Sequence, residues 1–115
     1  MNIYECLVNQ NAINTPNKIA IETEHEQISY QKLDQHIQSI QLQLQENNLK
    51  QGHILGIASK TTPLSIAILF ACFREGIATA IINPKWPIEK ILTTTHSINC
   101  TKVWSEEPTI VTHLK

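Results

Sequence analysis

Residues 53–63 read His53-Ile54-Leu55-Gly56-Ile57-Ala58-Ser59-Lys60-Thr61-Thr62-Pro63, and this run decides the fold. Ile54, Leu55, Ile57 and Ala58 form a nearly continuous apolar strand, the pattern of a strand covered on both faces in a parallel sheet. Thr61-Thr62-Pro63 then supplies an N-cap and a proline at the first helical position, so the strand turns into a helix. That helix is expected to reach Glu75 with Leu64, Ile68, Ala71 and Cys72 inward, and Gly76 is placed to end it in a left-handed conformation. Ile77 to Ile82 reads as the next buried strand. The loop Asn83-Pro84-Lys85-Trp86-Pro87 is stiffened by its prolines, and Pro87 opens a helix carrying Ile88, Ile91, Leu92 and Thr95. Cys100 to Trp104 is the third strand. Strands and helices alternating from Ile54 to Trp104 predict an α/β fold built on a βαβαβ parallel-sheet unit with right-handed crossovers.

Upstream of this unit, Ser29 is an N-cap for a helix from about Tyr30 to Asn47. Leu33, Ile37, Ile40 and Leu44 make one apolar stripe, and Gln31, Gln35, Gln38, Gln41 and Gln45 cover the other side. Lys18 to Thr23 alternates around Ile19 and Ile21, Glu24-His25-Glu26 is a polar turn, and Gln27-Ile28-Ser29 pairs back as a hairpin. A short helix from Asn2 to Asn14, with Ile3, Cys6 and Leu7 on one face, stops before Pro16. Thr109 to Thr112 reads as one more short strand.

The chain has 115 residues, which suits a single domain spanning 1–115. With 42% hydrophobic and 17% charged residues it is globular; a disordered chain would be poorer in apolar residues. The net charge of −1 gives no electrostatic reason to bind nucleic acid. No basic segment leads into an apolar block at Met1, and the apolar run Leu64–Phe73 is far short of the roughly 20 residues that span a bilayer. No membrane association and a cytoplasmic location are therefore expected. The three cysteines, Cys6, Cys72 and Cys100, lie far apart and form no Cys-x-x-Cys pair.

Chemistry-bearing motifs are sparse. The turn Ser59–Pro63 has no glycine, so it cannot cradle phosphate as a glycine-rich loop does; helix capping outweighs an anion site there. His25, His36, His53, His96 and His113 show no metal-ligand spacing, and no Gly-x-Ser-x-Gly elbow exists. The loop 83–87 is the most distinctive local feature. It is either a stiff connection or, with Lys85 and Trp86 at the carboxyl end of a parallel strand, the edge of a ligand crevice.

The order of elements resembles the N-terminal region of the adenylate-forming (AMP-binding) ligases. The residues that carry the likeness are Thr15-Pro16-Asn17-Lys18-Ile19-Ala20-Ile21, Ile28-Ser29-Tyr30-Gln31-Lys32-Leu33, Leu49-Lys50-Gln51-Gly52-His53-Ile54-Leu55-Gly56-Ile57, and Ala71-Cys72-Phe73-Arg74-Glu75-Gly76 with Ile82-Asn83-Pro84. Within the family the Cys72–Gly76 block and Asn83–Pro87 are most similar to the 2-succinylbenzoate–CoA ligases of menaquinone biosynthesis. His53 stands where the family usually has Asp, Ala80 where proline is frequent and Ile82 where leucine is common.

The resemblance implies the N-terminal subdomain of the ligase fold and an ATP-dependent acid–CoA ligase. Such an enzyme takes a carboxylic acid substrate and uses ATP, Mg²⁺ and CoA. The family's phosphate loop, ribose-binding Asp and C-terminal Lys have no counterpart here, so no catalytic residue and no metal ligand is expected, and no cofactor is expected on this chain alone. Lys85 is the one position carried over, as a contact to the CoA nucleotide phosphate. A fragment of a larger sheet would self-associate through an exposed edge or apolar face. The alternative is a stand-alone α/β binding or interaction module derived from a truncated ligase gene.

Overall fold

The computed structural model describes residues 5–105, the side chains of Glu5 and Cys6 excepted. The expected N-cap at Asn2 and the expected strand at 109–112 lie outside these residues. The chain begins with a π-helical turn, Glu5–Asn9, that runs into α1, Gln10–Asn14. A hairpin follows, β1 (Ile19–Glu22) with β2 (Gln27–Ser29), paired antiparallel with an irregularity between Ile19 and Ile21. Then come α2 (Tyr30–Glu46), β3 (Ile54–Ile57), α3 (Pro63–Glu75), β4 (Ala78–Ile81), α4 (Ile88–Ser97) and β5 (Lys102–Trp104). β3 is central in a parallel sheet of order β4-β3-β5.

Several boundaries follow directly from local chemistry. The Ser29 side chain accepts the Lys32 amide at 3.2 Å and caps α2. At the start of α3, Thr62 Oγ1 accepts the Ser65 amide at 3.1 Å, while Ser65 Oγ accepts the Thr62 amide at 2.8 Å. This reciprocal capping box, with Pro63 after it, satisfies the orphan donors of the helix. Gly76 stops α3 at φ 72°. α2 and α4 are released by non-glycine residues in the same region, Asn48 at φ 61° and Asn99 at φ 57°; asparagine tolerates it better than most side chains.

The two crossovers put their helices on opposite faces of the sheet. β3→β4 and β4→β5 step in opposite directions across the sheet, so crossovers of one hand must use both faces. Leu55 and Ile57 point to the face covered by α3, packing with Ala67, Ile68, Ala71 and Cys72 and, beyond them, the α2 stripe Leu33, Ile37, Ile40 and Leu44. Ala58 points the other way and packs with Ile82, Ile91 and Val103. A polar clamp holds α2 to α3: Gln41 and Gln45 donate to the two carboxylate oxygens of Glu75 at 2.7 and 2.9 Å, and Arg74 donates to Gln41 Oε1 at 2.9 Å.

Three sequence expectations need correction. The strand read as buried from Ile77 to Ile82 has only its flanking Ile77 and Ile82 buried; β4 itself lies at one edge of the three-stranded sheet, with Ala78 exposed and Ile81 71% exposed, because no described strand pairs with its outer side. Leu64 is not inward but 44% exposed, and the covered side of α3 is Ser65, Ala67, Ile68, Ala71 and Cys72. The helix is apolar nearly all round, so its periodicity does not identify the packed face. In the first helix Leu7 is 50% exposed while Val8 is buried. The π-helical turn adds a residue to the repeat, which rotates Val8 to the core.

Candidate functional site

The carboxyl ends of the parallel strands carry the only groups that sequence reasoning offered as a site. Two described loops lie there: 58–62 after β3, and 82–87 after β4. In the first, the α3 N-terminus is occupied by its own capping box, and Ser59 Oγ donates to the carbonyl of Lys60 at 2.8 Å. The turn is a cap, as its lack of glycine suggested, and it presents no cradle for a phosphate.

In the second loop, the Asn83 side chain accepts the Lys85 amide at 2.9 Å, and the Trp86 amide donates to the Asn83 carbonyl at 3.2 Å. This Asx-type turn, between two prolines, fixes the direction in which Lys85 leaves the sheet. Lys85 itself is exposed. Trp86 does not line an open crevice beside it. Its ring is half-buried against Ala58, Ile82, Ile91 and Val103, and Lys90 Nζ lies 4.1 Å from its centroid. The structure thus separates two residues that the sequence placed together: Trp86 anchors the loop to the core, and Lys85 projects as an ammonium group on a stiff support.

Nothing else among the described residues assembles chemistry. No group of three or more His, Cys, Asp or Glu side chains is placed to hold a metal ion. His25 and His96 are exposed, and His53 Nδ1 accepts the Lys50 amide at 3.2 Å in a turn; His113 lies outside the described residues. Cys72 is fully buried, and burial, with the nearby Glu75 charge adding to it, pushes its thiol up to about 12. Burial also raises Cys100. Neither is poised as a thiolate nucleophile. No helix among the described residues is long and apolar enough to cross a membrane.

One feature escaped the sequence reading. A hollow of about 360 Å³ opens between α2 and β5, lined by Ile40, Leu44, Leu64, Ile68 and Trp104. At its rim Lys102 Nζ donates to Asn47 Oδ1 at 3.4 Å. Alternation along β5 is the signal that would have found it, since Lys102 and Trp104 share a face and Val103 points away.

Comparison with known proteins places this architecture. A family model described as AMP-binding enzyme matches residues 8–109. A mycosubtilin synthase polypeptide of Bacillus subtilis is 29% identical over 85 residues, which is 74% of this chain and 3% of that protein. Among solved structures, NpsA-ThdA from Klebsiella oxytoca, an artificially fused adenylation-PCP di-domain, aligns with a TM-score of 0.85 at 20% identity over 92% of this chain and 20% of that one. O-succinylbenzoate coenzyme A synthetase of Bacillus subtilis, in complex with AMP, aligns at 0.83 and 19% identity over 93% of this chain and 29% of that one. The chain thus spans less than a third of each of these proteins, and the shared part is the fold described above. With the family model covering nearly its whole length, the chain belongs to the AMP-binding enzyme family.

Proposed function

We propose that this chain is the N-terminal part of a cytoplasmic adenylate-forming acid–CoA ligase of the 2-succinylbenzoate type. The family match from residue 8 to 109 carries the reading, together with the ordered sequence blocks from Thr15 to Pro84. In the proposed reaction a carboxylate displaces pyrophosphate from ATP, forming an acyl-adenylate. The CoA thiol then takes the acyl group and AMP leaves. Magnesium neutralises phosphate charge in the first half-reaction. O-succinylbenzoate coenzyme A synthetase, whose fold this chain shares in part, has been solved with ATP and magnesium ion, which supports the same cofactors for the complete protein here. The described residues supply scaffold to that chemistry. Lys85 is the exception, offered by its Asx-type turn to a CoA phosphate as a point charge.

A second reading has one observation in its favour. The relative at 29% identity belongs to mycosubtilin synthase, and NpsA-ThdA joins an adenylation domain to a PCP. On that model the acyl group would pass to a carrier protein in place of CoA. Lys85 separates the two readings. In a ligase carrying this segment, Lys85→Ala should raise KM for CoA about tenfold while leaving acyl-adenylate formation unchanged. An unaltered KM for CoA would remove the CoA contact. The reading that this chain supplies scaffold without a complete site is tested by carboxylate-dependent ATP–pyrophosphate exchange by this chain alone. Background exchange is expected, and exchange above background would overturn it.

A further inference from the structure

β3 and β4 are neighbours in the parallel sheet, and the chain leaves their carboxyl ends toward opposite faces, β3 into α3 and β4 into α4. In an open α/β sheet, the parting of two adjacent connections is where ligands bind. Strand register pins what flanks it. Ile57 pairs with Ile81, so Lys60, three residues past Ile57, and Lys85, four residues past Ile81, stand on the two sides of the parting.

Each loop is fixed from within and leaves its lysine over. In 58–62 the Thr62–Ser65 capping box occupies the α3 N-terminus, and Ser59 Oγ donates to the Lys60 carbonyl at 2.8 Å. In 82–87 the Asn83 side chain holds the Lys85 amide at 2.9 Å, while the Trp86 ring packs on the core. Both lysines are exposed, and among the described residues neither ammonium has a hydrogen-bonding or ion-pair partner. Lys90 and Lys102 differ: one lies over Trp86 and the other donates to Asn47. Neither loop contains Asp or Glu, and the nearest acid in sequence, Glu89, belongs to the first turn of α4. Two uncommitted cations at a switch point suit a ligand with more than one phosphate.

We propose that Lys60 is a second phosphate-binding residue, acting with Lys85 on CoA. The inference rests on the CoA-ligase reading and extends it to a residue outside the loop 83–87. CoA carries a phosphate on its ribose 3′ oxygen and a diphosphate on its 5′ oxygen, so two separated point charges match it better than one. Lys60 and Lys85 take different phosphates. The turn 58–62 still offers no backbone cradle; what it supplies is a flexible side chain that can follow the nucleotide. Lys60 belongs to the second half-reaction alone, because CoA enters only there.

Steady-state kinetics of a ligase carrying this segment test the assignment. Lys60→Ala should raise KM for CoA about tenfold, and Lys60→Arg, which keeps the charge, should restore most of the loss. Carboxylate-dependent ATP–pyrophosphate exchange and KM for ATP should stay at wild-type values, which also reports an intact fold. Combined with Lys85→Ala the losses should multiply to about a hundredfold, as expected for separate contacts. With dephospho-CoA, which lacks the 3′-phosphate, only one of the two substitutions should keep its effect. If Lys85→Ala raises KM for CoA and Lys60→Ala does not, Lys60 is removed while the CoA reading stands. If neither substitution moves it, the inference falls together with that reading. A rise in KM for ATP would assign Lys60 to the first half-reaction, and loss of both effects with dephospho-CoA would put both lysines on one phosphate; either result overturns the proposal.

Discussion

The two faces of the parallel sheet are built to different tolerances. On one, Leu55 and Ile57 meet α3, and α2 lies outside it, giving a core two helices deep that also takes in Ile28, Leu49 and Ile77. On the other, α4 alone covers the sheet with Ala58, Ile82, Ile91 and Val103, and Trp86 closes the margin. The deep face gains its stability from volume. The shallow face gains it from closeness, because side chains of the neighbouring strands close over the bare central strand. Gly56 is that place: a Cβ there would lie 2.8 Å from Val103 Cγ2 and 3.0 Å from Ile82 Cδ1.

The largest expected effect probes the deep face. Ile37 and Ile91 are both 0% exposed. Ile37→Ala should cost about 4 kcal/mol, because α3 and the hairpin hold the cavity open, whereas Ile91→Ala should cost roughly 2–3 kcal/mol, since the adjoining loop and Trp86 can settle into the space. Chemical denaturation of both variants checks this. Equal losses would break the distinction between the faces.

Next in size is an added methyl on the shallow face. Gly56→Ala should destabilise by about 1–3 kcal/mol, with Val103 and Ile82 forced from their places. Neutral or improved stability would show that the shallow face has slack. A double variant, Gly56→Ala with Val103→Ala, should recover part of the loss if the clash with Val103 is its source.

How much of this was legible in the sequence depends on the signal involved. Caps and stops were legible because each is a local rule: Ser29, Thr62-Pro63 and Gly76 act on their own backbone neighbours. The α2 stripe was legible because its polar and apolar sides alternate cleanly. The packed side of α3 was not, since its apolar residues run all round, and Leu64 and Ile68 look alike until the sheet is in place. The role of Gly56 was invisible for a similar reason: a glycine inside a strand pattern signals close approach but does not say by what. Of the candidate site, the rigidity of loop 83–87 was readable from its prolines. The division of labour between Lys85 and Trp86 was not, because it depends on Lys90, four residues on, and on a core assembled from three strands.

Cys72 supplies a probe of the deep face through pH. Its folded-state pKa is raised from 9.0 to about 12 by burial first and by Glu75 second. Below pH 9.0 the thiol is protonated in both states, and its contribution is fully retained. Between about 9 and 12 the unfolded chain ionises it while the folded chain does not, so stability falls by up to about 1.4 kcal/mol per pH unit. Lysines and tyrosines titrate in the same window, so the quantity to measure is the difference between the wild type and Cys72→Ala. The variant should be less stable at neutral pH but lose stability less steeply above pH 9.0. Parallel curves would mean that Cys72 is more open to solvent than its packing indicates.

The smallest effect tests the margin of the shallow face. Lys90 Nζ sits 4.1 Å above the Trp86 ring, which packs against the core of that face. An exposed cation–π contact is worth about 0.5–1 kcal/mol, so Lys90→Gln should lower stability by that amount and no more. Its local consequence should be larger than its energy. The Trp86 ring sets where loop 83–87 joins the core, and Lys85 projects from that loop. Releasing Lys90 should therefore shift the Trp86 fluorescence and speed exchange of the Lys85 amide, now held by Asn83 at 2.9 Å, while Ile37 and the deep face report nothing. If exchange instead rises on both faces, the sheet does not insulate them, and the loop is coupled to α2 through the strands.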